Sequence, residues 1–261
     1  MSTSSKNKLQ GKVTIVTGGA SGIGEATVLL FADHGARAVV IADVQDEKGQ
    51  KLVESIGSSR STYIHCDVTD ENQVKSLIKT TIDLYGQLDV TFCNAGIINT
   101  TPQTVLDFDM AAYEKLFAVN VGGTAASLKH AAMAMVEGGV KKGSIICTAS
   151  TAANVQGDRC TDYVMSKCAV VGLMKSASVQ LGRYGIRVNC VSPGPVATPL
   201  LCKLSGIGMK EVEKAFESSY CLGGVLKVKH VAEAVLFLAC DDSEFVTGHN
   251  LVVDGGFKAA Y

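Results

Sequence analysis

The chain has 261 residues, of which 47% are hydrophobic and 19% are charged, and its formal net charge is −1. This composition is apolar enough for a sizeable core and too poor in charge for a disordered chain. The near-zero charge excludes the strongly basic surface typical of nucleic-acid binding, and no stretch approaches the ~20 apolar residues of a membrane span. We therefore expect neither nucleic acid nor a membrane as a partner.

The nine cysteines are odd in number, and no two have the C-x-x-C spacing of a zinc or redox motif. Several lie within apolar runs, where a reduced cysteine serves as a small core side chain. The first ten residues are polar and lack the apolar region of a signal peptide. These features predict a cytoplasmic protein with reduced cysteines and no bound metal.

Short runs rich in β-branched residues alternate with longer helical stretches. The predicted strands cover residues 12–17, 38–42, 62–67, 88–93, 144–149, 187–191 and 250–253. The predicted helices cover residues 25–34, 46–56, 71–84, 109–136 and 163–181. Near-continuous apolar strands separated by helices are typical of a parallel sheet covered on both faces. No repeat or linker interrupts the pattern, so we expect one α/β domain over residues 1–261, a doubly wound, Rossmann-like parallel sheet of about seven strands with helices on both faces.

A glycine-rich turn follows the first predicted strand. Its glycines have the spacing G-x-x-x-G-x-G, and the residues that would meet a phosphate are Gly18, Ser21, Gly22, Ile23 and Gly24. Glycines here allow a tight turn and a close approach of a pyrophosphate, while the following helix directs its positive end at that anion. The alternative is a glycine-rich turn without a ligand, but its position after the first strand favours phosphate binding.

Polar residues close the next three strands. Asp43 ends the second strand, where a carboxylate accepts hydrogen bonds from the hydroxyls of an adenosine ribose and repels a 2′-phosphate, unless it only caps the turn. No Lys or Arg lies in the glycine turn, so NAD is favoured over NADP. Asp67, followed by Val68, suits the adenine amino group and equally suits a cap for the helix that follows. Asn94, before two small residues, closes the fourth strand where a cofactor would lie.

A tyrosine and a lysine lie four positions apart on a predicted helix and therefore share one face: Tyr163 and Lys167. A tyrosine has a usual pKa of ~10, and a nearby ammonium lowers that pKa. Although such a pair often lies on the surface and has no function, it suits proton exchange with an alcohol or ketone oxygen. Ser150, at the end of the fifth strand, suits a hydrogen bond to the same oxygen. Asn120, among apolar neighbours, either holds a water beside Lys167 or makes only a helix–helix hydrogen bond.

Taken together, these motifs resemble those of the short-chain dehydrogenase/reductase family over nearly the whole chain. The residues that carry the resemblance are Thr17-Gly18-x-x-x-Gly22-x-Gly24, Asp67, Asn94-Ala95-Gly96, Asn120, Ser150, Tyr163-x-x-x-Lys167 and Pro193-Gly194.

The resemblance implies roles for the matching residues. Tyr163 would be the acid/base, and Lys167 would also hold the nicotinamide ribose. Ser150 would orient the substrate oxygen, and Asn120 would support a proton relay. Val196 and Thr198 would contact the nicotinamide carboxamide and the diphosphate. The resemblance further implies a homotetramer that pairs the helices near residues 109–136 and 161–182.

Segments 147–150, 161–167 and 197–200 are similar to those of plant members of this family that act on monoterpenoids, both dehydrogenases and nepetalactol-related enzymes. Two positions depart from the wider family. Cys93 precedes Asn94 where a second Asn is common, and Thr151-Ala152-Ala153-Asn154 follows Ser150 where a small residue and a glycine are more usual. We expect Asn154 to reach the substrate pocket beside Ser150 and Tyr163.

The segment 199–226 is rich in leucine and aromatic residues, and its charged residues fall in helical pairs that would face water. We expect it to form a substrate lid, and an apolar lid favours a small apolar substrate. The alternative is that the segment packs only on the core or on a neighbouring subunit.

Two functions fit these residues. The favoured one is hydride transfer between NAD and an apolar secondary alcohol, lactol or ketone of the monoterpenoid class. The alternative is a redox-neutral cyclase or isomerase of the nepetalactol type, in which NAD stays bound while groups near Ser150, Asn154 and Tyr163 stabilise an enolate-like intermediate. A scaffold without activity is disfavoured, because it has no need of Ser150, Tyr163 and Lys167 together.

Overall fold

The computed structural model describes residues 7–154 and 158–258. Seven parallel strands form its sheet: β1 (Val13–Thr17), β2 (Ala38–Asp43), β3 (Ser61–His65), β4 (Val90–Cys93), β5 (Gly143–Thr148), β6 (Ile186–Pro193) and β7 (Asn250–Val253). Their order is β3-β2-β1-β4-β5-β6-β7. The predicted doubly wound sheet is confirmed.

Nine α-helices lie within the described residues: α1 (Gly22–Asp33), α2 (Asp46–Ile56), α3 (Glu71–Tyr85), α4 (Met110–Phe117), α5 (Thr124–Glu137), α6 (Thr161–Leu181), α7 (Pro199–Ser205), α8 (Met209–Phe216) and α9 (Val228–Ala239). None of these helices is both long and apolar enough to cross a membrane.

The strands alternate their side chains between two cores, one on each face of the sheet. In β1, for example, Ile15 belongs to the core under α3, α5 and α6, whereas Val16 belongs to the core under α1, α2 and α9. Both residues are fully buried. Because both faces are covered, the strands read as continuous apolar runs rather than as an alternating pattern.

The chain reverses its direction of travel across the sheet between β1 and β4, which lie side by side. At such a switch point the loops after the two strands diverge and leave a crevice at their carboxyl ends. The glycine turn follows β1, and Asn94 follows β4. The topology therefore places the motifs of the sequence at one edge of the sheet.

The long helix predicted over residues 109–136 is instead two helices, α4 and α5, joined by a π-helical segment at Ala118–Gly123. The residues of this segment are also compatible with an α-helix, so the hydrophobic periodicity of the sequence does not indicate the wider π-helical turn. Gly123, at the end of this segment, lies close to Val68: a Cβ on Gly123 would lie 2.5 Å from the Val68 side chain.

Other boundaries differ by a few residues. β3 ends at His65 rather than at residue 67, so Asp67 follows the strand. The helix α9 was not predicted, and the segment 199–226 contains α7 and α8.

All nine cysteines are free, and five of them are buried. Three buried ones, Cys93, Cys147 and Cys190, stand in register on adjacent strands. A hydrogen bond with Cys147, together with burial, raises the pKa of Cys93 well above the usual thiol value, and burial does the same for the pKa of Cys190. Cys93 and Cys190 are therefore protonated core side chains. Among the described residues no group of three His, Cys, Asp or Glu is placed to hold a metal ion.

Candidate active site

A cavity of about 640 Å³ opens at the carboxyl ends of β1 to β6. The sequence-predicted residues that line it are Gly18, Ser21, Gly22, Ile23, Asp43, Asp67, Val68, Asn94, Ser150, Tyr163, Lys167, Val196 and Thr198. Gly24, Asn120 and Asn154 are not among the lining residues. The cavity thus brings motifs from the whole length of the chain together.

The glycine turn has the backbone shape that its residues permit. Gly18 and Gly22 have φ of +62° and +58°, where a side chain would be strained. A Cβ on Gly18 would lie 2.8 Å from the Ala95 Cα, and a Cβ on Gly24 would lie 2.0 Å from the Gly18 carbonyl oxygen. Gly24 therefore acts behind the turn, where it lets α1 pack against it. The first residues of α1 face the cavity with their free N–H groups available to an anion.

Asp43 is buried beside this turn and has two structural roles. Its Oδ2 accepts a hydrogen bond from Ala20 N at 2.9 Å, which ties the glycine turn to β2. Its Oδ1 accepts from Val44 N at 2.8 Å and from the backbone and side chain of Gln45. A carboxylate has about four acceptor positions, so Oδ2 keeps capacity for one further donor in the cavity.

Asp67 does not cap α3, because Asp70 performs that role by accepting from Asn72 N and Gln73 N. Asp67 Oδ1 instead accepts from the backbone and hydroxyl of Thr69 at 2.9 and 2.8 Å. The capping alternative for Asp67 is therefore wrong, and the residue lines the cavity with Val68.

The Asn94 amide joins the ends of three strands. Its Nδ2 donates to the carbonyl oxygens of Thr17 and Gly18 at 3.1 Å each, and its Oδ1 accepts from Thr148 Oγ1 at 3.2 Å. These bonds hold the loop after β4 against the glycine turn, so Asn94 shapes the cavity floor.

Ser150 follows β5 and caps a short 3-10 turn by accepting from Ala152 N at 3.1 Å. Tyr163, in the first turn of α6, is partly accessible through the cavity, but protein atoms surround its phenol. Desolvation raises the pKa of Tyr163 to about 12, while a hydrogen bond with Ser150 acts in the opposite direction. The two hydroxyls therefore form a pair on the cavity wall.

Lys167 is buried one turn further along α6, and its Nζ lies 5.4 Å from the centre of the Tyr163 ring. Nζ donates to the Thr148 carbonyl oxygen at 2.8 Å. Burial lowers the pKa of Lys167 to about 8. Desolvation therefore outweighs the other influences on the pKa of Tyr163 in this structure, and Nζ bonds to a backbone carbonyl rather than to the phenol. That Lys167 lowers the pKa of Tyr163 stays a prediction.

Asn120 lies in the π-helical segment behind this pair, and its amide is fully engaged. Oδ1 accepts from Ile97 N at 2.8 Å, and Nδ2 donates to Ile97 O at 3.0 Å and to Ser166 Oγ at 3.2 Å. Asn120 thus fastens the loop after β4 to α6. Asn120 is not among the residues that line the cavity, and its role in a proton relay stays a prediction.

Three further predicted residues lie beyond β5 and β6. Asn154 is exposed at the end of the 3-10 turn and does not line the cavity, contrary to the expectation that it reaches the substrate pocket. Val196 is buried, and Thr198 caps α7 by accepting from Leu201 N at 3.3 Å. Both line the cavity.

Sequence reasoning missed several lining residues that carry no polar signal. Ile97 and Ile98 follow β4, Cys160 precedes α6, and Phe257 follows β7. The predicted lid segment 199–226, which was not missed, contributes Pro199, Leu200, Leu201, Leu204 and Phe216. An apolar residue on a cavity wall and one in a core look alike in a sequence, so topology alone identifies them.

The residues present fit a dinucleotide. The positive-φ glycines leave a cradle that a Cβ would fill, the start of α1 offers N–H groups to phosphates, and Asp43 Oδ2 has room for a hydroxyl donor. The proton-exchanging groups Ser150, Tyr163 and Lys167 share the same cavity.

Comparisons with known proteins agree with this geometry. A family model described as enoyl-(acyl carrier protein) reductase matches residues 18–258. A (−)-isopiperitenol/(−)-carveol dehydrogenase of Mentha piperita is 55% identical, with 97% of this chain and 96% of that protein covered. A (+)-cis,trans-nepetalactol synthase of Nepeta racemosa is 54% identical, with 96% and 95% covered. A secoisolariciresinol dehydrogenase of Forsythia intermedia is 47% identical, with 98% and 92% covered.

A solved structure, a short-chain type dehydrogenase/reductase from Mycobacterium marinum, superimposes with a TM-score of 0.87 at 32% identity, covering 95% of this chain and 96% of that one. The family model, the two dehydrogenase relatives and the solved structure all indicate a dehydrogenase or reductase. The chain is an oxidoreductase that belongs to the short-chain dehydrogenase/reductase family, whose members typically use a nicotinamide cofactor.

Proposed function

We propose that the protein transfers hydride between NAD and an apolar secondary alcohol, lactol or ketone of the monoterpenoid class. One observation carries the proposal: a single cavity is lined both by the glycine turn with Asp43 and by Ser150, Tyr163 and Lys167. The first group suits a dinucleotide, and the second suits proton exchange with a substrate oxygen.

Asp43 supports NAD as the dinucleotide. Its buried carboxylate would repel a 2′-phosphate, and Lys167 is the only lysine or arginine among the described residues that line the cavity. A 2′-phosphate would therefore meet a negative charge and no neighbouring guanidinium. Initial rates with NAD and with NADP test this proposal: we expect kcat/KM to be at least about a hundredfold higher with NAD.

The chain's own groups would divide the proton chemistry between them. When bound, the cofactor supplies the acceptor or donor of hydride. In alcohol oxidation Tyr163 takes the hydroxyl proton, and in reduction it returns that proton to the oxygen. Ser150 donates a hydrogen bond to the same oxygen as negative charge develops there. Lys167, when charged, favours the phenolate form of Tyr163 electrostatically and holds the cofactor ribose.

The cavity lining supports an apolar substrate. Apolar residues of the cavity wall include leucines of α7, Phe216, Ile97 and Ile98, and the segment 199–226, which carries α7 and Phe216, is the proposed lid. The hydroxyls of Ser150 and Tyr163 are enough to orient one oxygen of an apolar substrate. The Mentha and Nepeta relatives carry terpenoid names, and at 55% and 54% identity they support the same substrate class for this chain.

A panel of cyclic monoterpenols tests the proposal. The protein is mixed with NAD and each alcohol, NADH is followed by absorbance, and the product is identified by chromatography. We expect at least one alcohol to yield NADH and the matching ketone in equal amounts. If a folded, NAD-binding protein forms NADH from none of them, the proposal is wrong.

A second candidate is a redox-neutral cyclase or isomerase that keeps NAD bound, favoured by the 54% identity to a nepetalactol synthase. In that reaction Ser150 and Tyr163 would stabilise an enolate-like intermediate. Asn154, which the sequence predicts beside Ser150 and Tyr163 in this reaction, is exposed and does not line the cavity. A dialdehyde or enol substrate distinguishes the two functions, because the cyclase forms a cyclic product without any change in NADH absorbance.

We further propose a homotetramer built through α5 and α6. Their outward faces carry Met133, Met165 and Val179, of which Val179 is 81% exposed. Exposed apolar side chains on neighbouring helices suit burial against a second copy. Light scattering should give about four times the chain mass of 27.3 kDa, and Val179→Asp should reduce it.

We propose a cytoplasmic location, a reducing compartment that suits the nine free cysteines. The Mentha relative is named as mitochondrial. Imaging of the full chain fused at its C-terminus to a fluorescent protein tests the proposal, and mitochondrial fluorescence would contradict it.

A further inference from the structure

The end of the chain reaches the cavity in a way that the motifs do not account for. Phe257, four residues beyond β7, lines the cavity together with Phe216 at the end of α8. The centres of these two rings are 6.1 Å apart, and the Tyr220 ring is 5.9 Å from that of Phe257. Separations of this size with tilted planes are favourable aromatic contacts. We call Phe216, Tyr220 and Phe257 the aromatic wall.

Hydrogen bonds hold the aromatic wall in place on both sides. The Tyr220 phenol donates to the Pro195 carbonyl, in the loop that also lines the cavity. Cys221 N donates to Gly256 O and Leu222 N to Gly255 O, each at 3.1 Å. The end of the proposed lid is thus fastened to the turn that follows β7.

Two glycines make this turn possible. Gly255 and Gly256 have φ of +60° and +69°, so the chain bends sharply and returns Phe257 to the cavity. A Cβ on Gly256 would lie 3.0 Å from the Cys221 Cβ, which shows how closely the two segments approach. Phe257 therefore has a defined position.

We propose that Phe257, backed by Phe216 and Tyr220, determines the size and shape of the apolar substrate that the site accepts. This inference rests on the proposed function, since it concerns the substrate of the same site. A reacting carbinol carbon must lie at the Tyr163 hydroxyl, and the rest of a cyclic terpenol extends into the apolar part of the cavity. Phe257 contacts that hydrocarbon and selects alcohols that carry a ring substituent over bare rings.

The test compares two alcohols of different size, (−)-carveol and cyclohexanol, with saturating NAD. Wild type, Phe257→Ala and Phe257→Leu are assayed, and Phe245→Ala is the matched control because Phe245 is fully exposed and does not line the cavity. We expect Phe257→Ala to lower the preference for (−)-carveol over cyclohexanol, as a ratio of kcat/KM, by about tenfold through the KM for (−)-carveol. Phe257→Leu should retain most of the preference, and the KM for NAD should stay unchanged in all variants.

Equal losses on the two alcohols, or the same loss in Phe245→Ala, would overturn the inference. If Phe257→Ala does not fold, Phe257→Leu and Phe216→Ala provide the comparison. If wild type oxidises neither alcohol, a terpenol of the panel that it does oxidise takes the place of (−)-carveol. If it oxidises none of the panel, the proposed function fails and the aromatic wall is tested by binding alone. In that case (−)-carveol should raise the Tm of the NAD-saturated wild type and raise that of the Phe257 variant less. Equal shifts, or no shift in wild type, overturn the inference.

Discussion

At the scale of single residues, the chemistry depends on two groups whose pKa values burial moves apart. Desolvation raises the pKa of Tyr163 to about 12 and lowers that of Lys167 to about 8. Burial penalises the charged form in each case, the phenolate and the ammonium. Near pH 8 Tyr163 is therefore a neutral phenol, and Lys167 is only partly protonated. Tyr163 can accept a proton only when positive charge nearby stabilises its phenolate form.

Tyr163→Phe should remove the proton acceptor and leave the fold intact. We expect kcat to fall by about a thousandfold, a loss typical of a missing general acid/base. Steady-state assays with NAD and an alcohol substrate of the wild type measure it, together with the Tm. Tyr184→Phe is the control, because Tyr184 is exposed outside the cavity. A Tyr163→Phe protein that keeps most of its kcat would contradict the assigned role.

Lys167 makes a prediction about stability and pH that needs no substrate. Its pKa falls from 10.5 to about 8 on folding, so the unfolded chain binds more protons than the folded one between those values. Stability therefore rises with pH in that window. At about 1.4 kcal/mol per pKa unit, the free energy of unfolding of wild type relative to Lys167→Met should increase by about 2 kcal/mol from pH 8 to 9.5.

Urea unfolding at several pH values measures this difference. Lys175→Met, a change at an exposed position of α6, should show no such dependence. A wild-type curve parallel to that of Lys167→Met across the window would mean that the ammonium is not desolvated in the folded protein.

Asp43→Asn should weaken the choice between cofactors. The substitution removes the negative charge and one of the acceptors for Ala20 N, Val44 N and Gln45 N. We expect the preference for NAD over NADP to fall by about tenfold, with a loss of about 1–2 kcal/mol in stability. Kinetics with both cofactors and urea unfolding test the two effects separately, with Asp33→Asn on the surface as the control. An unchanged preference would reassign Asp43 to a purely structural role.

At the scale of elements, the π-helical segment Ala118–Gly123 matters most, because it carries Asn120 inward between the loop after β4 and α6. π-helical segments are uncommon in proteins, and those that occur are often found at functional sites. Asn120 satisfies both backbone groups of Ile97 and bonds to Ser166 Oγ. The loop that lines the cavity is thus tied to the helix that carries Tyr163 and Lys167.

Asn120→Ala should therefore lower both stability and activity. Two partly buried backbone groups of Ile97 lose their partner and the Ser166 hydroxyl loses one donor, which corresponds to about 2–4 kcal/mol of unfolding free energy. Urea unfolding and kcat measure the effects, and Asn72→Ala at an exposed position of α3 is the control. A stable variant with normal kcat would show that the loop is held by other contacts.

The sequence predicted most of the elements for physical reasons that are visible in it. Buried parallel strands such as β2 are continuous apolar runs in the sequence. Tyr163 and Lys167 are four positions apart, a spacing that brings two side chains to one face only in a helix. The π-helical segment was missed because its residues also suit an α-helix. Phe257 was missed because its role depends on a turn that brings the end of the chain beside α8, and no local pattern reports such a tertiary contact. Asn154 was misplaced because proximity to Ser150 in the chain does not determine which way a turn directs it.

At the scale of the whole molecule, the strand order explains why distant motifs act together. Parallel strands end at one edge of the sheet, and the switch point between β1 and β4 opens a crevice there. The amide of Asn94 bridges the ends of β1, β4 and β5 across this crevice. The two cores on either side of the sheet lie beneath the cavity, and leucines of α7 and Phe216 of α8 contribute apolar residues to its wall.

The central claim is that hydride leaves a carbinol carbon of the substrate for the dinucleotide. Deuterium placed on that carbon of a terpenol tests it most directly, with mass spectrometry of the dinucleotide after reaction with the wild type. We predict that one deuterium appears in NADH and that the ketone contains none. A product that retains the deuterium, with NAD unreduced, would contradict the claim and favour the redox-neutral cyclase.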